Sequence, residues 1–396
     1  MTGRAQRSAV HWAIWGGLRL LLVAIITGAI AWPEQVNDLN IYADWVRDSL
    51  GSGRFPTDQM WQYPPLVGPL FLLGGWLPGE RIGFVVLFLA FDALIMAMAS
   101  VQASRTQRYG GVRLWALLPL LVGPLLLARF DVVPTAFAVA AVLLAGRPAL
   151  SGALAITGGW LKAWPVLVLA ALRRSALPRA AAGALAASVL IAVALTATMT
   201  DPWSFLTGQR DRGLQIESVA AWPFLVGRAL GAPVEVVYRY GAHEVDAAWV
   251  GLVASGATVS TAVLLGIVAV QRLRGALEQI PGADVALAAV LFSVVGSRVF
   301  SGQYFIWLLG LATVCLGDPG TRMWRTVALL IGAGAATQLI YPWLYTALLE
   351  GNPVAVLVQT IRVGLTLAAA GTALAVLLSH KPTEDALPSR LGWMGR

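Results

Sequence analysis

The chain is short of cysteine, histidine, lysine and charge, and each shortage removes a class of protein. Cys315 is the one cysteine in 396 residues, so no intrachain disulfide can form. The three histidines, His11, His243 and His380, lie far apart in sequence and make no Cys/His metal motif with it. Charged residues are 12% of the chain and hydrophobic ones 58%. A soluble domain carries about 25% charge, so a soluble globular enzyme is excluded. The net charge of +8 belongs to arginines flanking membrane helices rather than to a nucleic-acid surface. The first apolar run, 12–32, has no small-x-small cleavage site before the acidic loop that follows, and reads as a signal anchor.

What is present in quantity is apolar sequence. Runs long enough to cross a hydrocarbon core of about 30 Å recur along the chain. Candidate spans are 12–32, 82–102, 112–129, 131–147, 149–161, 164–175, 179–200, 245–271, 283–300, 302–317, 322–347 and 353–379. The two pieces within 149–175 are short and suggest a hairpin around Lys162 and Pro165. Segment 64–79 is apolar but dense in proline and glycine, and fits an interfacial or re-entrant piece better than a span. With 64–79 kept out of the count, the basic clusters Arg105/Arg108/Arg113, Arg173/Arg174/Arg179, Arg272/Arg274 and Arg322/Arg325 all face one side. The positive-inside rule makes that side cytoplasmic. The expectation is an all-α polytopic protein in a bacterial plasma membrane, with about twelve spans. Both termini are then cytoplasmic, with residues 1–379 as one membrane domain and 380–396 as a short tail. Loops 33–81 and 201–246 lie outside, and their aromatic and basic residues suit interfacial helices.

The first outer loop carries Glu34, Asp38, Asp44, Asp48 and Asp58, more acid than a connector needs. Helical spacing puts Asp38, Tyr42 and Trp45 on one face, and Asp44 and Asp48 on another. Such a face is either a general base beside a sugar platform or a solvated loop obeying the charge bias. Arg129-Phe130-Asp131 joins two spans and is either a substrate site or an internal ion pair. Lys162, deep in an apolar hairpin, is either a fixed cation for phosphate or a snorkelling side chain. Arg210 and Arg212 can meet a lipid phosphate or stand by as loop charges. Arg298 and the run 301–307, with Gln303 and Tyr304, can order a donor or anchor a helix end at the interface.

In their order along the chain these features resemble the GT-C superfamily of membrane glycosyltransferases. The similarity is to the branch holding actinobacterial polyprenol-phosphate-mannose-dependent α-mannosyltransferases of the phosphatidylinositol mannoside type and related arabinofuranosyltransferases. It is carried by Asp38-x-x-x-Tyr42, Tyr63-Pro64-Pro65, Arg129-x-Asp131, Lys162-x-x-Pro165 and Ser301-x-Gln303-Tyr304-x-x-Trp307. Many relatives have Gly-Gln-x-Asn where this chain has Ala128-Arg129-Phe130-Asp131, which leaves donor sugar and acceptor open.

The resemblance implies a GT-C fold and an inverting transferase. It moves a sugar, mannose first and arabinofuranose as the alternative, from a polyprenyl-phosphate donor. The acceptor is a hydroxyl of a lipid-linked or glycan molecule on the extracytoplasmic face. Asp38 matches the family's catalytic aspartate. Asp44 and Asp131 would bind sugar, with Tyr42 and Tyr63 beside them. Lys162, Arg129, Arg210 and Arg298 would meet phosphate. A divalent cation, Mg or Mn, is allowed near the carboxylates but not required. The reading from another class is a transporter or flippase of a lipid-linked sugar, which needs ionisable groups near the midplane. Asp92, Lys162 and Arg362 are the main charges inside spans.

Overall fold

The computed structural model describes residues 3–33, 38–57, 60–77, 79, 81–203 and 213–379, with side chains from residue 8 onward. Glu34, Asp58, Arg210, Arg212 and the tail 380–396 lie outside the described residues.

The chain is a mostly helical membrane protein. Six helical segments are long and apolar enough to cross a membrane: Ser8–Ile26, Arg81–Thr106, Arg174–Thr198, Val250–Leu273, Trp324–Glu350 and Pro353–Leu378. In chain order the helices are α1 (Gly3–Ile26), α2 (Asp38–Asp48), α3 (Val67–Trp76), α4 (Arg81–Thr106), α5 (Gly110–Leu117), α6 (Pro119–Val122) and α7 (Leu125–Ala128). Then come α8 (Val132–Leu143), α9 (Pro148–Leu161), α10 (Leu177–Thr198), α11 (Trp222–Ala229) and α12 (Val250–Leu273). The last are α13 (Gly282–Val295), α14 (Tyr304–Leu316), α15 (Trp324–Leu339), α16 (Tyr345–Glu350) and α17 (Pro353–Leu378). Helix α10 turns Leu185, Val189, Leu190 and Val193 outward. In water such an apolar face would be a liability, whereas lipid is its natural solvent.

Interhelical turns gather at two ends. At one end Gln102 Nε2 donates to the Val314 carbonyl at 3.0 Å and the Arg174 amide to Glu278 Oε1 at 2.9 Å. The basic clusters read from the sequence flank these turns. At the other end Arg54 bridges Thr200 and Gln62 Nε2 donates to the Tyr240 carbonyl at 3.5 Å, so the two large loops meet.

Three sequence expectations change. The run 112–129 is three short helices, because Pro119 and Pro124 lack the amide a continuous helix needs and Gly123 takes φ +54°. The run 164–175 is a tight 3-10 stretch, Trp164–Ala171. Pro165 would clash with the Leu161 carbonyl, so α9 stops there. The loop 201–246 holds the expected short helix, α11, but also a three-stranded antiparallel sheet of order β1-β3-β2: β1 (Leu214–Gln215), β2 (Glu235–Arg239) and β3 (Ala242–Asp246). Its hairpin turns on Tyr240 (φ 52°) and Gly241 (φ 73°), the paired positive values of a type I′ turn. The sheet packs through Leu214, Ile216 and Val245 on a small core with Ile340, Leu348 and Val356. Segment 64–79 forms α3, ten residues and too short to cross. It lies close against α4: a Cβ on Gly83 would sit 2.2 Å from the Gly74 carbonyl oxygen.

The break in 112–129 has its own support. Pro119 has no amide to offer the Trp115 carbonyl, which accepts from the Leu118 amide at 3.3 Å and from Arg19 of α1 at 2.9 Å; Arg19 also donates to the Ala116 carbonyl at 2.6 Å. Arg19 also pairs in bidentate fashion with Asp92 of α4, both contacts at 2.9 Å, and Trp15 Nε1 adds a third bond at 2.7 Å. Asp92→Ala strands a fully buried guanidinium. Removing one member of a buried pair costs about 3–5 kcal/mol. The variant should melt well below wild type in detergent, read by intrinsic fluorescence; an unchanged transition would mean the pair does not hold α1.

Candidate functional site

The end where both loops meet opens into a cavity of about 1040 Å³. Five separate parts of the chain supply its walls.

The first is α2. Tyr42 and Trp45 turn inward and are buried, which leaves Asp38 on the same face at the cavity wall. Tyr42 stacks on Phe71 at 4.2 Å and meets Phe84, Phe88 and Phe130 edge-on. Trp45 packs on Trp61 and Tyr63. This aromatic cluster fixes the loop to α3 and α4, so Asp38 stands on a rigid support.

The second is the turn 129–131. Arg129 is extended (φ −121°, ψ 142°), so successive side chains diverge. Arg129 Nε reaches Asp38 Oδ2 at 2.8 Å. Phe130 enters the aromatic cluster, 5.0 Å from Tyr63. Asp131 turns the other way and is buried.

The third is the end of α9. Lys162 Nζ donates to Asp131 Oδ1 at 2.6 Å, and Trp307 Nε1 donates to the same oxygen at 2.7 Å. The ammonium lies 5.0 Å from the rings of Phe130 and Trp307 and 5.4 Å from that of Tyr304. Trp164 and Tyr304 both stack against Trp307.

The fourth is the approach to α14, 297–303. Arg298 and buried Gln303 line the cavity, and Arg298 Nε lies 3.4 Å from Thr258 Oγ1. The fifth is the sheet. Gln215 Nε2 donates to Ser301 Oγ at 2.7 Å and to Glu217 Oε2 at 3.1 Å. Glu217 is buried, 3.9 Å from Arg362 of α17. Arg362 also donates to the Glu217 and Phe300 carbonyls, so the last membrane helix ties the fourth and fifth walls together.

Of the sequence candidates, Asp38, Tyr42, Tyr63, Arg129, Lys162, Arg298, Gln303 and Tyr304 line this one cavity. Asp131 sits behind Lys162 rather than facing the space. Asp44 is apart: it is half exposed and paired with Arg47 at 2.9 Å on the outer face of α2. Arg210 and Arg212 fall outside the described residues. Sequence reasoning missed Gln215, Glu217, His243, Tyr341 and Tyr345, which also line the cavity. The one available signal was Arg362, a lone charge in an apolar run that has to find a partner.

The electrostatics divide the basic groups. Lys162 is committed to Asp131 and three rings. Among the described residues Arg129 makes one ion-pair contact and its Nε has no aligned hydrogen bond. Burial raises the Asp38 carboxyl above its ordinary value, with the Arg129 cation pulling the other way. Burial also pushes the Tyr63 phenol up to about 12, so it stays a neutral donor. Trp164 Nε1 is buried without a hydrogen-bond partner among the described residues, at the cavity wall. Buried polar atoms are normally satisfied, so this is a place for a ligand.

No three metal-ligating side chains cluster among the described residues. The carboxylates of Asp38 and Asp131 already contact basic groups, a donor set that does not suit a divalent cation. No family model, no curated protein and no solved structure matches this chain.

Proposed function

We propose that this protein is an inverting membrane glycosyltransferase that takes a sugar from a polyprenyl-phosphate donor. The observation that carries the reading is the Asp38–Arg129 contact at the wall of a large cavity, at the end of the bundle where the outer loops meet. Such a transfer needs a base for a hydroxyl and a cation for a departing phosphate, and here they stand 2.8 Å apart.

In the proposed reaction the donor phosphate takes over Arg129, which releases the Asp38 carboxylate. The acceptor hydroxyl gives its proton to Asp38 as its oxygen bonds to the anomeric carbon. The bond from that carbon to the phosphate oxygen breaks on the opposite face, and its electron pair leaves on the phosphate. One carboxylate is enough for such a displacement, by the logic of the base in inverting glycosidases. Arg129 stabilises charge that grows in the transition state. The Lys162–Asp131 pair holds the floor, a different role from the phosphate contact expected of Lys162. Trp164, Leu167 and Ala262 give the cavity an apolar arm suited to a polyprenyl tail.

We read about twelve passes by adding six shorter pieces (α5–α7, α8, α9, 164–171, α13 and α14), enclosed by the bundle, to the six long helices. Arginine at the opposite end supports a cytoplasmic face there, with the cavity outside and mannose as the first donor to test. A flippase would need mobile charge in the bundle. Arg19, Asp92 and Arg362 are instead locked in fixed hydrogen bonds.

The donor test uses purified protein in lipid with polyprenyl phosphate mannose or polyprenyl phosphate arabinofuranose and a membrane glycolipid extract. One donor should release free polyprenyl phosphate in step with acceptor glycosylation. Release from neither donor would reject the reading.

A further inference from the structure

The cavity has a second pole that the chemistry above does not use. Helix α15 ends in a kink over Ile340–Leu344, where Tyr341 leaves helical geometry (φ −108°, ψ 99°) ahead of Pro342. Pro342 lacks the amide that would continue the helix. The break aims Tyr341 into the cavity, within electrostatic range of Arg129. From there the rings run outward in single file. Tyr341 lies 5.9 Å from Tyr345, Tyr345 lies 5.7 Å from His243, and His243 lies 5.0 Å from Tyr238. His243 Nδ1 and Tyr345 Oη are 3.2 Å apart, which ties the β-hairpin to α16. All four rings line the cavity; Tyr341, Tyr345 and His243 are half-buried and Tyr238, at the end of the file, is 62% open.

We infer that this file is an acceptor subsite and that its ligand is an oligosaccharide extended from Asp38 to the rim, rather than a single sugar or a bare headgroup. Aromatic faces match the apolar faces of sugar rings, and phenol and imidazole edges match their hydroxyls. A file of four rings suits a flat, repeating ligand of more than one unit. A compact headgroup would fill the charged pole and leave the rim unused. The inference rests on the glycosyltransferase reading, but its binding test does not need turnover.

The probes are methyl mannosides and methyl arabinofuranosides of one to four units, titrated against wild type and Tyr238→Ala by saturation-transfer NMR. Tyr238 is exposed, so its loss spares the fold. Affinity in one series should rise with length. Tyr238→Ala should lose about three- to tenfold for the longest probe and nothing for the shortest, the size of one aromatic contact. With turnover available, the same variant should raise the acceptor KM and leave the donor KM unchanged. Binding that ignores length, binding of neither series, or equal loss at every length would overturn the subsite. If transfer fails while length-dependent binding persists, the reaction is wrong and the subsite stands.

Discussion

Asp38→Asn should lower kcat by about 10²–10⁴-fold, the usual contribution of a positioned general base, while donor affinity changes little. The amide keeps the size of the carboxylate and cannot accept the proton. Wild-type kcat/KM should also show an acid limb above the ordinary carboxylate range, because burial raises the Asp38 pKa. The sign follows from the role: a base works ionised, so a raised pKa removes activity at a higher pH. The limb should vanish in the Asn variant's residual rate. Transfer that survives the change intact would take the base role from Asp38.

Arg129→Gln should cost about 10²–10³-fold in kcat/KM, the scale seen when one donor to developing charge is lost. It should also move the acid limb to still higher pH, since the Arg129 cation holds the Asp38 pKa down. A purely structural arginine would weaken the fold without shifting the limb. Lys162→Gln gives the contrast. It strips Asp131 of its ion pair, so the melting temperature should fall. If the Lys162 variant shifted the limb and the Arg129 variant did not, the phosphate contact would belong to Lys162.

Much of this site was legible because it follows from local patterns. The i, i+4, i+7 spacing of Asp38, Tyr42 and Trp45 fixes which face of α2 is buried, and Asp44 falls on the other face for the same reason. Arg129 and Asp131 announced themselves as charges at a helix junction. The arginine clusters located the opposite end of the bundle. What stayed hidden depends on partners distant in sequence. Nothing local tells whether Lys162 meets a phosphate or Asp131, because the answer lies in a tryptophan on α14. The Glu217–Arg362 contact joins the loop 201–246 to the last helix. The hairpin 235–246 lay hidden within the loop 201–246 because its turn, Tyr240-Gly241, lacks the usual Asn-Gly or Asp-Gly signal. Apolar runs overstate helix length wherever proline removes an amide, as at Pro119 and Pro165.

The most direct measurement follows two labels on one donor. Polyprenyl phosphate mannose, tritiated in the sugar and carbon-14 labelled in the lipid, is placed with the protein and a glycolipid acceptor in sealed vesicles. The account predicts that the labels part: sugar appears on the acceptor, lipid appears as polyprenyl phosphate in equal amount, and both depend on Asp38. Labels that cross the bilayer together, still joined, would contradict it and make the protein a carrier.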